Sequence, residues 1–120
     1  MIWRLRASYK RPGPRRARPH HLDLPATPES IARALGAAPC EHLSASGISV
    51  WALERPAPSA ALNFDATDLL DALGMCGVAP VYGPAIVTGR DHGQLIDPPP
   101  LAVAFLSVLI HPTNPDPLEN

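Results

Sequence analysis

Seven basic side chains, Arg4, Arg6, Lys10, Arg11, Arg15, Arg16 and Arg18, fall within the first 21 residues of a 120-residue chain, and no acidic residue interrupts them. Clustered guanidinium and ammonium groups hold phosphates and carboxylates by charge and by release of counterions, which makes this segment the candidate contact for an anionic partner. The remaining residues carry three basic groups against eleven acidic ones, so a net charge of −1 conceals a formal +7 at one end and −8 over the rest. Trp3 and Tyr9 are placed to stack on bases if they are exposed. The simpler meaning of the same residues is a solvated arginine-rich arm, or one lying on the chain's own acidic remainder, with aromatics that alternate as core residues do. No recognised nucleic-acid reader motif accompanies the charge.

Two other constellations carry chemistry in principle. Cys40 and His42 are two apart and share one face of a strand, and Cys76, His92 or His111 would be needed to complete a four-ligand metal site. The chain has no C-x₂-C or H-x₃-H pair, and an unpaired Cys is ordinary packing, so no metal and no cofactor are expected. His20 and His21 read as a solvent-facing pair in a loop. Asp91, His92 and Cys76 are the residues a small hydrolase or metal-dependent enzyme would use. Against this, Cys76 follows a helix C-terminus, where the dipole raises a thiol's pKa, and Asp91-His92 between glycines is common turn chemistry. Asp65, Asp68 and Asp71 read as a solvated helix face. Ser44, Ser46 and Ser49 lack a nucleophile elbow, and no phosphate-cradling glycine loop or dinucleotide fingerprint is present. Catalysis has no named residues on this reading.

The elements that position these groups follow from periodicity and punctuation. Residues 1–9 alternate, with Trp3, Leu5, Ala7 and Tyr9 on one face and Arg4, Arg6 and Ser8 on the other, which predicts an opening strand. Residues 10–25 carry four prolines and no apolar period, which predicts a mobile basic loop or arm. Thr27-Pro28-Glu29-Ser30 is a helix start, with Ile31 and Leu35 stacked and Gly36 and Pro39 closing it. Strands are predicted over 40–44 and 48–53 around Ala45-Ser46-Gly47. Ile48, Val50 and Ala52 face one way, Ser49, Trp51 and Leu53 the other. A short strand over 62–64 leads to a helix over 66–73, capped by Asp65 and closed by Gly74, with Ala66, Leu69, Leu70 and Leu73 on its buried face. A strand over 81–88 receives that helix, its first half pushed to an edge or bulge by Pro84. A turn over 89–93 leads to residues 94–96.

Residues 101–110 are apolar on nearly every side, and a helix is favoured over a strand by the proline ahead and the Leu101, Phe105, Leu109 stack. Ten residues fall short of the roughly twenty needed to span a membrane. The segment is instead buried or meets a second copy, and Leu101, Phe105, Leu106 and Leu109 are the candidate self-association residues. Two cysteines and no secretory signal point to a reducing cytoplasm.

Leu62-Asn63-x-x-Ala66-Thr67-x-Leu69-Leu70, followed by Tyr82-Gly83-Pro84-Ala85-Ile86-Val87-Thr88-Gly89, resembles a family of small uncharacterised proteins of actinobacteria and their phages and plasmids. The resemblance covers about a quarter of the chain. It implies a compact α+β fold and a mobile-element setting, and it carries no catalytic residues.

Taken together, residues 1–110 are expected to form a single α+β domain, a small mostly antiparallel sheet with two or three short helices and proline-rich loops. Residues 111–120 are expected to be a disordered tail. The expected role is that of a small non-enzymatic binding or accessory protein meeting an unknown protein partner or itself. Nucleic-acid association through the basic segment is the first alternative and a small enzyme the second.

Overall fold

The computed structural model describes residues 2–5, 20–75, 80–100, 102 and 104. Eight elements follow in order: β1 (Ile2–Leu5), β2 (His20–Leu22), α1 (Pro28–Leu35), β3 (Pro39–Leu43), β4 (Ile48–Leu53), α2 (Phe64–Ala72), β5 (Ala85–Asp91) and β6 (Gln94–Ile96). The fold is α+β, with every strand pair antiparallel. The sheet runs β2-β1-β5-β4-β3, and β6 folds back on the far end of β5 through Gly89↔Ile96 and Asp91↔Gln94.

Both faces of this sheet are covered, as the alternation along β4 requires. Trp51 and Ile86 turn toward α1 and pack with Ile2, Ile31 and Leu35. Val50, Ala85 and Val87 turn the other way and pack with Leu5, Ala66, Leu69 and Leu70. Ile31 and Leu69 are fully buried, each stabilising the fold by about 2 kcal/mol relative to exposure. Trp3 packs on the same cluster as Leu5. Ala102, also fully buried, joins that cluster, and Pro100, Ala102 and Ala104 carry helical backbone. Of the C-terminal apolar run, Ala102 thus docks on this chain's own core, and the rest apart from Ala104 lies outside the described residues.

The first helix starts as its residues predict. Thr27 Oγ1 accepts from the Ser30 amide at 3.2 Å, Pro28 and Glu29 occupy the first turn, and Gly36 closes the helix at φ 82°. Several expectations are corrected. Part of the segment over 10–25 is a strand: His20, His21 and Leu22 pair with Arg4, Trp3 and Ile2, an arrangement without a local signal because β1 supplies the hydrogen bonds. The His20-His21 pair thus belongs to a strand. The strand over 40–44 begins and ends one residue earlier. The strand over 62–64 reduces to one bridge between Leu62 and Tyr82, since Phe64 is already helical. The strand over 81–88 starts only at Ala85, after Pro84 has passed, and runs on to Asp91. The turn over 89–93 shrinks to His92-Gly93. Gly89 lies within β5, paired with Ile48 and Ile96, and a Cβ there would stand 2.8 Å from both Asp97 O and Ile96 Cγ1.

The α2 cap is the most consequential correction. Asn63, not Asp65, caps the helix, and Asn63 is fully buried. Its Oδ1 accepts from the Ala66 amide at 3.0 Å, while Nδ2 donates to Leu5 O at 3.1 Å and Gly83 O at 2.9 Å. One side chain thus holds the helix start, the end of β1 and the approach to β5. Asp65 falls in the first turn instead.

Replacing Asn63 tests this directly. Asn63→Asp keeps the capping acceptor but sets carboxylate oxygens against two carbonyls, and is expected to cost about 3 kcal/mol at neutral pH by urea unfolding. Acidification should recover part of the loss, because a protonated carboxyl donates again. Asn63→Ala, which loses cap and bridge together without the repulsion, is expected to cost about 2 to 3 kcal/mol at any pH.

Candidate functional site

Among the seven basic candidates, Arg4 is described and the other six lie outside the described residues. Arg4 occupies β1 opposite His20 on one side and Ile86 on the other. It is half-buried, and its Nε is buried without a hydrogen-bond partner. The connection carrying Arg6, Lys10, Arg11, Arg15, Arg16 and Arg18 is bounded at both ends by a paired strand, Leu5 closing β1 and His20 opening β2. The expected loop or arm over 10–25 lies outside the described residues up to position 19.

The polar side chains of the sheet centre are engaged with each other. Glu41 of β3 accepts from Ser49 Oγ at 2.6 Å and from Arg90 Nε at 2.7 Å through one oxygen, and from Arg90 Nη2 at 2.9 Å through the other. Arg90 Nη1 donates to Gly93 O at 2.7 Å, and its guanidinium lies 5.7 Å from the Trp51 ring centroid. Trp51 Nε1 in turn donates to Thr88 Oγ1 at 2.9 Å. The Arg90 hydrogen bonds hold the Glu41 carboxyl below its ordinary value of about 4.5, against the opposing effect of burial and with help from Ser49 and from the Arg90 charge. Hydrogen bonding to Glu41 likewise raises Arg90. This network binds three strands together. Sequence reasoning did not find it, because Glu41 and Arg90 are 49 residues apart and no local signal pairs them.

Asp91 and His92 stand on an exposed turn. His92 Nε2 is 3.7 Å from Asp91 Oδ1, with the two side chains 87% and 67% exposed. His92 has φ 50° and Gly93 φ 80°, the signature of a two-residue hairpin turn with both central residues left-handed. Both side chains stand open to solvent, and Cys76 lies outside the described residues. The geometry that the small-enzyme reading needs is thus not assembled by Asp91 and His92.

Cys40 and His42 do share a face of β3, as their spacing predicts. They line an open pocket of about 270 Å³ together with Glu54, Pro56, Pro80 and Tyr82. Among the described residues no three His, Cys, Asp or Glu side chains come together to hold a metal ion. His111 lies outside the described residues, as do Leu101, Phe105, Leu106 and Leu109. No helix among the described residues is long and apolar enough to cross a membrane. Compared with known proteins, the chain matches no family model, no curated protein and no solved structure.

Two measurements check these assignments. The depressed Glu41 pKa means that its contribution is present above the unfolded value of about 4.5 and is lost as pH falls through the lower folded value. Glu41→Gln is expected to cost about 1 kcal/mol at pH 7 and to flatten the acid limb of the stability curve below about pH 4.5, seen in urea unfolding at several pH values. His92→Asn is expected to stabilise the hairpin by about 0.5 kcal/mol, because Asn tolerates φ > 0 better, and a rise in melting temperature would show it.

Proposed function

We propose that this protein is a small non-enzymatic binding protein that grips a polyanionic partner with the connection between β1 and β2. The observation that carries the reading is the confinement of six of the chain's ten basic residues to positions 6–19, between two paired strands, while residues 22–120 are strongly acidic. Arg4 extends the charge to the root of the connection and keeps a buried Nε donor without an acceptor. Arg90, by contrast, is already bound to Glu41. Nucleic acid is a polyanion of high charge density, and binding of this kind follows the phosphate backbone rather than the bases.

The test is fluorescence anisotropy of labelled single-stranded and duplex DNA and RNA with the full chain across a salt titration. Removing residues 1–20 would take β1 out of the sheet, so point changes within the connection separate binding from folding. Binding is expected to weaken linearly on a log–log plot against salt and to show little sequence preference. Substituting Arg15, Arg16 and Arg18 together by Gln should lower that slope by about 2 to 3 while leaving the melting temperature unchanged. Absence of binding by the full chain at low salt would remove nucleic acid as the partner.

A further inference from the structure

β3 is the last strand of the sheet path and is paired on one side only. The bonds from Ser44 N to Ile48 O and from Glu54 N to Ala38 O place the ladder with β4 on even-numbered residues, so Cys40 and His42 point their backbone groups inward. Pro39, Glu41 and Leu43 therefore turn theirs outward, and among the described residues nothing receives them. Leu43 is 50% exposed, the strand carries no Lys, Arg or bulge, its proline stands at the first position, and the charge of Glu41 is held by Arg90. What such an edge accepts is an extended backbone.

We propose that the occupant is β3 of a second copy, paired antiparallel about a two-fold axis through Glu41 so that two sheets join edge to edge. The strand is complementary to itself in this register. Pro39 opposes Leu43 of the second copy, which covers the exposed leucine and leaves the missing proline N–H at the strand end. About four backbone hydrogen bonds form, two of them between the Glu41 residues. The two carboxylates that meet at the axis are each neutralised by two hydrogen bonds from their own Arg90, at 2.7 and 2.9 Å, so charges alternate from Arg90 to Glu41 on either side of the axis. Cys40 opposes His42 of the second copy in the closer, non-hydrogen-bonded kind of pair. β2 of each copy lies at the end of the sheet path away from the seam. A five-residue seam makes a weak, concentration-dependent dimer. This pairing rests on no part of the polyanion reading.

Sedimentation of the full chain from about 1 µM to about 1 mM is expected to show a reversible shift from monomer to dimer. Leu43→Lys places a charge on the seam without touching the core, and should weaken dimerisation by about tenfold while the circular dichroism melt stays unchanged. His42→Cys supplies a positive readout. Opposed positions in such a pair have the Cα spacing a disulfide requires, so oxidation should link position 42 of one copy to Cys40 of the other, mapped by mass spectrometry. The same variant with Cys40→Ala should lose that link. A chain that stays monomeric throughout overturns the proposal. So does a dimer that Leu43→Lys leaves intact and whose oxidised His42→Cys variant carries no bridge between positions 40 and 42, which would move self-association to another surface.

Discussion

The amide of Asn63 is the point on which the two halves of this fold are joined. The chain between β4 and β5 runs through α2 and returns, and both arms of that excursion, with the end of β1, meet at one fully buried side chain. An amide suits the place because it both donates and accepts. Its oxygen meets a first-turn N–H of the helix, and its nitrogen meets two backbone carbonyls. Buried without that partner, each carbonyl would cost about 1 to 3 kcal/mol. The packing of Ala66, Leu69 and Leu70 on Val50 and Val87 depends on the helix starting at this residue, since a start two positions later would rotate the apolar stripe by about half a turn.

A second constraint works on the opposite face. Glu41, Ser49, Trp51, Thr88 and Arg90 lie on neighbouring strands and bind one another side by side, so the polar groups of this half-polar stretch of sheet satisfy each other. Both Glu41 and Arg90 keep about a quarter of their side-chain surface in solvent, a position where a bidentate pair gains from charge without the full cost of burial. The consequence for function is negative selection among candidates. Charges bound in this way are poor contacts for a partner, and attention shifts to the charges and backbone groups that the fold does not use.

How much of this was legible before the structure depended on whether the determining partner was near in sequence. The first helix is legible from four consecutive residues, because Thr27, Pro28, Glu29 and Gly36 act within their own turns. The faces of β4 are legible because alternation is a local property, and so is the α+β class. The cap of α2 was not, since Asn63 and Asp65 are both good caps by residue type and only the carbonyls of Leu5 and Gly83 decide between them. β2 was hidden for the same reason. His20-His21-Leu22 has no strand signal of its own and becomes one by pairing with β1. At the level of sites, the shared face of Cys40 and His42 was readable from spacing, whereas the exposure of Asp91 and His92 followed from a turn whose length periodicity does not set.

β1 is where the fold and the proposed contact meet. It lies between β2 and β5, so its four residues are held on both sides, and its last residue is also an acceptor for Asn63. The fourteen residues that follow must return to His20, which is paired with Arg4. A closed connection of that length reaches at most about 24 Å from the strand ends, half the contour of the extended chain. Six of the chain's ten basic residues thus lie, in sequence, between two strands that pair with each other. Confinement of like charge raises the local potential and with it the gain from meeting a polyanion, while the acidic remainder of the chain repels that partner from the other surfaces. On the proposed reading, the orientation of a polyanionic partner would follow from strand pairing and charge segregation together, without a base-reading motif.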